Sequence, residues 1–284
     1  MLFRLTYGRL LISLGILIVL SVFALLASGY HFLHSELPDA AVLKSQYPVV
    51  KYNGPKKPTR IILQKNRPAG WSALKDISPL AVGAIVVSED WAFYQHHGFD
   101  PNQIHEAIKE DLEERRFVRG ASTITQQVAK NVFLEKDKNL WRKLKEFWVA
   151  IELEKKVGKR KILETYLNVA EWGEGIYGIS SASHHYFNKS PAELTAKEGA
   201  FLAMLLPSPK RYSISYRKHK LTNYAKETMD SILDKMVQAH YMDQEERNKE
   251  LAHTLSFEQA ADGSAKSADK TPAVQVEKKS AVAL

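Results

Sequence analysis

Cysteine is absent from the chain. Disulfide bonds and thiolate chemistry are therefore excluded, and either side of a membrane stays open as the compartment. Acidic residues are in the minority, 32 Asp and Glu against 40 Lys and Arg, for a formal net charge of +8 and a pI near 9.3. That excess fits an anionic partner: a nucleic acid, a membrane surface or a phosphorylated substrate. No internal repeat is visible along the 284 residues. Charge is missing altogether from Leu10 to Tyr30, a run of Leu, Ile, Val and Ala preceded by Arg4 and Arg9. A helix needs about 20 apolar residues to cross a bilayer, so residues 10–30 read as a transmembrane anchor. The arginines place residues 1–9 in the cytoplasm and the rest outside. A cleaved signal peptide ending near Ala27-Ser28-Gly29 is the alternative, but its apolar region is typically about 7–15 residues. A chain begun near Pro48 is expected to fold, because the helical core is read as starting after it.

Residues 31–69 are irregular, with Pro38, Pro48, Pro55, Pro58 and Pro68, and read as a linker with a short strand at Arg60–Leu63. Residues 70–256 read as one mainly α domain. Ser78-Pro79 marks a helix start. Ser122 is positioned to cap a helix carrying Gln126 and Lys130. Leu140, Leu144, Phe147, Trp148 and Ile151 form an apolar stripe, and Gly158 stops that helix. Glycines 173, 175 and 178 mark a loop. Ser190–Glu193 and Thr195–Glu198 match the capping box. Helices over Thr222–Ala239 and Asp243 to about Leu255 close the domain. Residues 257–284 are Ala, Ser, Lys and Asp without apolar period and read as a disordered tail.

Two polar islands interrupt the apolar pattern. Glu89 follows the run Ala81–Val87 and shares a helical face with Ile85, Val86 and Phe93. A carboxylate at the buried end of a helix tends to a raised pKa, which suits acid–base work. The competing reading is a structural bond from Glu89 to His96 or His97. Asp90 and Asp100 read as holding the loop in place, Asp100 by starting the next helix. In the second island, Gln126 and Lys130 lie four apart, with Gln127 and Asn131 in the adjacent row. That donor-rich strip suits sugars and phosphates. Arg119, Gly120 and Ser122 place donors at a helix N-terminus, a common anion site. Further on, Arg142, Lys143 and Glu146 share one turn. Alone they read as a surface ion pair of little worth. Beside the islands they form a cationic clamp with a second carboxylate, suited to glycosyl transfer or hydrolysis.

These motifs, in order, closely resemble those of the family 51 glycosyltransferases, the peptidoglycan transglycosylases, and most of all their monofunctional, membrane-anchored members. The resemblance runs from about Leu74 to Arg211. It is carried by Glu89-Asp90 with Phe93, His97, Gly98 and Asp100, then by Arg119–Gln127 with Lys130-Asn131. Arg142–Glu146 follow. Lys159, Ile162-Leu163-Glu164, Tyr166-Leu167-Asn168 and Gly173 come next. Gly178-Ile179, Tyr186-Phe187, Lys189, Leu194 and Ala200–Ala203 complete the series. Two features depart from it: Ser180–Ser183 is poorer in alanine, and Lys138 stands where the family often has a diphosphate-contacting arginine. Lysine keeps the charge and loses the bidentate fork.

The resemblance implies a lysozyme-like α-helical fold and polymerisation of lipid II into β-1,4-linked glycan strands, with inversion and release of undecaprenyl diphosphate. It makes Glu89 the general base and Glu146 the second catalytic carboxylate, organising the cations or a divalent metal, Mg2+ or Mn2+, with no organic cofactor. Lys130, Lys138, Arg142 and Lys143 would neutralise the diphosphate. Asp90, Ser122, Gln126, Gln127 and Asn131 would complete the substrate-binding set. The partners implied are lipid II, the lipid-linked glycan, the membrane, and other cell-wall synthesis or division proteins, with no nucleic acid. The enzyme would sit in the bacterial inner membrane with its catalytic domain outside. No second catalytic domain is expected after the first. A membrane-bound lysozyme-like hydrolase and a non-catalytic wall-binding scaffold are the alternatives; the hydrolase needs no diphosphate clamp, and the scaffold predicts no loss when Glu89 is changed.

Overall fold

In the computed structural model, residues 2–55, 57–114, 122–134 and 139–258 are described. The N-terminal helix α1 (Leu2–Glu36) contains the apolar run Ile12–His31, long and apolar enough to cross a membrane. A single turn at Ala40–Lys44 and the hairpin of β1 (Tyr47–Lys51) and β2 (Arg60–Gln64) follow it. The strands are antiparallel, with Val49 opposite Ile62 and Val50 opposite Ile61. The strand expected at Arg60–Leu63 is therefore present. The stretch read as a linker is not loose, however. Leu43 is fully buried and Ala40 nearly so, both in the main core. Local composition hid this, because five prolines in the stretch say nothing about a distant surface that apolar residues can reach.

The centre of the domain is α2 (Pro79–Glu89). Ser78 accepts the Ala81 N–H and Pro79 fills the first turn, as expected. Every residue from Ala81 to Val87 is buried, so the helix has no solvent face and runs through the core. It packs against α8 (Ala196–Leu205) and α11 (Asn223–Gln238). The crossing with α8 is tight because Gly199 carries no side chain there; a Cβ would stand 2.6 Å from Ala81 Cα. The helix delivers its last residue, Glu89, to the surface of this core.

Around α2 lie α3 (Pro101–Glu114), α4 (Ile124–Val128) continued by one π turn over Ala129–Phe133, α5 (Leu140–Lys156) and α6 (Lys159–Val169). A small hairpin, β3 (Glu171–Gly173) and β4 (Ile176–Tyr177), leads to α7 (Ile179–Phe187). After α8 come α9 (Pro209–Tyr212), α10 (Ile214–Arg217), α11 and α12 (Gln244–Ala252). The capping boxes read at Ser190–Glu193 and Thr195–Glu198 are formed, and Thr222 and Asp243 cap α11 and α12. The fold is mainly α, as expected.

One further boundary and one face differ from the sequence reading. Phe257, assigned to the tail, is buried against Phe201 and Tyr216, at ring distances of 5.1 and 5.5 Å. The domain thus reaches at least Glu258, and the rest of the expected tail lies outside the described residues. On α5 the buried face is Glu146, Val149, Ala150 and Leu153. The apolar stripe points away from the core: Leu140 is 76% exposed and Leu144 52%. Trp148 of that stripe meets Tyr30 of α1 edge-on, at 6.0 Å.

Candidate active site

Glu89 ends α2 half-buried, and its partners come from two other helices. Its Oε2 accepts Gln127 Nε2–H from α4 at 2.8 Å and the Tyr166 hydroxyl from α6 at 3.3 Å. Tyr166 Oη also lies 3.4 Å from Gln127 Oε1. The histidine-bonded alternative for Glu89 is not what forms. Burial pushes the Glu89 carboxyl above its ordinary value; the Gln127 and Tyr166 bonds pull it back, Asp90 pushes it up and Lys130 lowers it. Burial, with the Glu89 charge beside it, holds the Tyr166 phenol well above its usual range.

Asp90 ends the helix and turns inward. It is fully buried, and its carboxylate meets His96 Nε2 at 2.9 Å and accepts the Ile124 N–H at 2.9 Å. Asp90 therefore braces the loop rather than touching substrate, which corrects its place among the binding residues. The same bond occupies the start of α4, where an external anion was expected. Thr123, not Ser122, caps α4, and Gln126 Oε1 accepts the Thr123 N–H at 3.0 Å to close a capping box. Gln126 is consequently buried and does not share an open face with Lys130. Only Gln127 and the exposed Lys130 and Asn131 present the strip outward. The sequence missed a third layer: Glu154 accepts Thr125 Oγ1–H at 2.6 Å and Lys159 Nζ at 2.7 Å, and Lys159 lies 4.4 Å over the Phe93 ring. Asp100 caps α3, accepting the Asn102 N–H at 2.9 Å, as read.

The second carboxylate is not on the surface. Glu146 is 2% exposed; Arg142 Nη1 donates to its Oε2 at 2.7 Å and Lys143 Nζ to its Oε1. Lys143 also donates to Ser122 Oγ at 3.1 Å. A carboxylate this buried fixes two cations in place, which a solvated surface pair does not do. Lys130 connects the clusters. Desolvation pushes its ammonium below the ordinary value, Glu146 pulls it up, Lys143 and Arg142 push it down, and Glu89 pulls it up. Lys130 thus lies within electrostatic reach of both carboxylates. Lys138, Arg119 and Gly120 lie outside the described residues. A divalent metal does not fit at Glu146, because both its oxygens are taken by cations and, among the described residues, no group of three acidic or histidine side chains gathers to hold one.

A mainly α core that sets a desolvated carboxylate at a helix end beside a buried carboxylate holding cations is the kind of site suited to acid–base chemistry next to an anion. The transglycosylase family model matches residues 56–237, and the chain belongs to that family. Among curated relatives, it is 41% identical over 156 residues to the biosynthetic peptidoglycan transglycosylase of Nitrosomonas eutropha, covering 55% of this chain and 64% of that one. It is 45% identical over 168 residues to that of Shewanella denitrificans, covering 58% and 71%. It is 35% identical over 262 residues to penicillin-binding protein 1F of Bacillus subtilis, covering 90% of this chain and 35% of that protein.

Proposed function

We propose that the chain is a peptidoglycan glycosyltransferase that polymerises lipid II into β-1,4-linked glycan strands and releases undecaprenyl diphosphate. The acceptor is lipid II and the donor is the growing lipid-linked strand. The acceptor 4-hydroxyl oxygen attacks the donor anomeric carbon from the face opposite the diphosphate. As the new C–O bond forms, the bond to the diphosphate breaks and its electron pair leaves with the phosphate oxygen. The hydroxyl proton passes to Glu89. Lys130, Arg142 and Lys143 neutralise the departing charge, and Glu146 acts by holding the last two in place. Lys138 belongs to the same set by its charge and sequence position. Gln127, Ser122 and Asn131 are the binding residues left after Asp90 and Gln126 are removed.

One arrangement carries this reading: a desolvated Glu89 and a buried Glu146 that holds Arg142 and Lys143 both attract Lys130, so the carboxylate and the cations serve one site. A base and a diphosphate clamp on one surface suit transfer from a lipid diphosphate; a hydrolase needs only the base. The helix α1 anchors the enzyme where both lipid-linked substrates lie, with the N-terminus in the cytoplasm and the domain outside. Exposed Leu140, Trp141 and Leu144 on α5, the helix that meets Tyr30, support this placement against a membrane. Incubation of the full chain in detergent with lipid II should give a ladder of glycan polymer on a gel. Absence of polymer, or cleavage of finished strands instead, would overturn the reading.

A further inference from the structure

Two hydrogen bonds reach Glu89, and both end on the same oxygen. Gln127 Nε2–H and the Tyr166 hydroxyl donate to Oε2, at 2.8 and 3.3 Å. Among the described residues, no hydrogen bond falls on Oε1. Tyr166 has one hydroxyl proton and two acceptors within reach, Glu89 Oε2 and Gln127 Oε1 at 3.4 Å. Its ring is fully buried, so it cannot rotate toward solvent. The position of that ring is fixed from the other side of α6. Glu164 and Asn168, two residues before and after it, bind the segment that precedes α2. Glu164 Oε1 accepts Trp71 Nε1–H at 2.9 Å and its Oε2 accepts the Leu74 N–H at 3.1 Å. Asn168 exchanges two bonds with the Ser72 backbone, both 2.8 Å.

We infer that Tyr166 is a positioning residue for the transfer reaction: together with Gln127 it pins Glu89 Oε2 and so selects Oε1 as the oxygen that takes the acceptor proton. The inference rests on Glu89 being the base. With Oε2 held by two donors, the carboxylate cannot spin about its terminal bond, and the more basic, unbonded oxygen faces the acceptor. Once Oε1 is protonated, Oε2 becomes the weaker carbonyl acceptor, and the Tyr166 proton can turn to Gln127 Oε1 without leaving a buried donor unpaired. Tyr166 thus stays satisfied in both protonation states of the base.

The test is the pH dependence of kcat/KM for lipid II polymerisation by the full chain, which reports the free enzyme's base. The charged and titratable groups facing Glu89 are Asp90 on its own turn, Lys130 from the π turn and Tyr166 from α6, with Arg142, Lys143 and Glu146 of α5 behind Lys130. Tyr166→Phe removes one donor to the ionised form, together with its alternative contact to Gln127 Oε1, and leaves the ring in place. Its acid-side limb should move to higher pH, lowering the rate on the acidic flank about tenfold, with KM near that of the parent. Incorporation of 3,5-difluorotyrosine at position 166 strengthens the donor without changing the fold, and should move the limb the opposite way. Opposite shifts support the role. An unmoved limb in both variants, or movement in one direction, overturns it, and the fluorinated variant decides even if Tyr166→Phe fails to fold. Glu89→Gln is the separate control: if it stays active, the base assignment itself fails, whatever Tyr166 does.

Discussion

Glu89 combines two properties that oppose each other in an ordinary protein: it is desolvated, and it is positioned by donors that favour its charge. Burial wins, so its proton leaves at a higher pH than from a free carboxyl. Activity should therefore fall as pH drops through that raised value, since only the ionised form accepts the acceptor's proton. The stability consequence has the opposite sign. The unfolded chain ionises this group more easily than the folded one, so stability is lost as pH rises from the unfolded value to the raised folded one, and stays lost above it. Glu89→Gln should reduce polymerisation by roughly 10²–10⁴-fold without lowering the melting temperature at neutral pH. A variant that is both inactive and clearly less stable would point to a structural role. Arg142 is the second residue with a sharp expectation. Arg142→Ala removes one of the two cations on Glu146 and should slow turnover. Arg142→Lys should restore only part, because the planar fork is lost. Unchanged turnover in Arg142→Ala would leave the Arg142–Glu146 bond as structural alone.

Helix α6 is the element that joins the site to the rest of the molecule. One face carries Tyr166 toward Glu89; the other carries Glu164 and Asn168 toward residues 71–74, and Lys161 lies 4.4 Å over the Tyr47 ring and 5.1 Å over that of Trp71. Burial pushes the Glu164 carboxyl up, but bonds from Lys161, the Leu74 N–H and Trp71 outweigh it and leave it below the usual value. This contribution to stability is present above the unfolded value and is lost as pH falls through the folded one. Asn168→Ala should cost about 2–3 kcal/mol in denaturant melts, because two buried Ser72 backbone groups lose their partners; a loss under about 0.5 kcal/mol would mean that water replaces the side chain there. Elements like this mark where sequence reading stops. The caps at Ser78 and Thr195 were legible because the accepting side chain and the N–H donor lie within four residues. Glu89 was legible because a carboxylate ended an apolar run. Tyr166 was not, beyond its place in a motif: its partner is 77 residues away, and nothing near Tyr166 marks it as more than a core tyrosine. The capping role of Gln126 was missed because Ser122 and Thr123 are equally good caps on paper, and only the fold, through Asp90 and the Ile124 N–H, selects Thr123. The α5 stripe had the right period but the opposite face, since period alone does not say which side meets the core.

At the scale of the whole molecule, the boundary between anchor and domain decides what can be cut away. The sequence placed the start of the folded part after Pro48. The structure moves it back: Ala40 and Leu43 are buried in the core, and Lys156 Nζ of α5 lies 3.8 Å from Asp39. Tyr47, the first residue of β1, meets Trp71 edge-on at 5.1 Å and lies under Lys161 of α6, which ties the hairpin to that helix. A chain begun at Pro48 would lose the Leu43 side chain from a filled site, at a cost of about 2–5 kcal/mol, along with the Tyr47 contact. That is a large fraction of the stability of an ordinary domain. A chain begun at Leu37 keeps all of these and should melt close to the full-length protein. It should polymerise lipid II in detergent at a similar rate, because every described site residue is retained. On vesicles carrying lipid II it should be slower than the anchored chain, since α1 confines the site to the surface that holds both substrates and raises their effective concentration. Equal melting of the Leu37 and Pro48 chains would show that the Ala40–Lys44 turn contributes no core. Equal rates on vesicles would show that the exposed apolar stripe of α5 suffices to hold the domain at the membrane without α1.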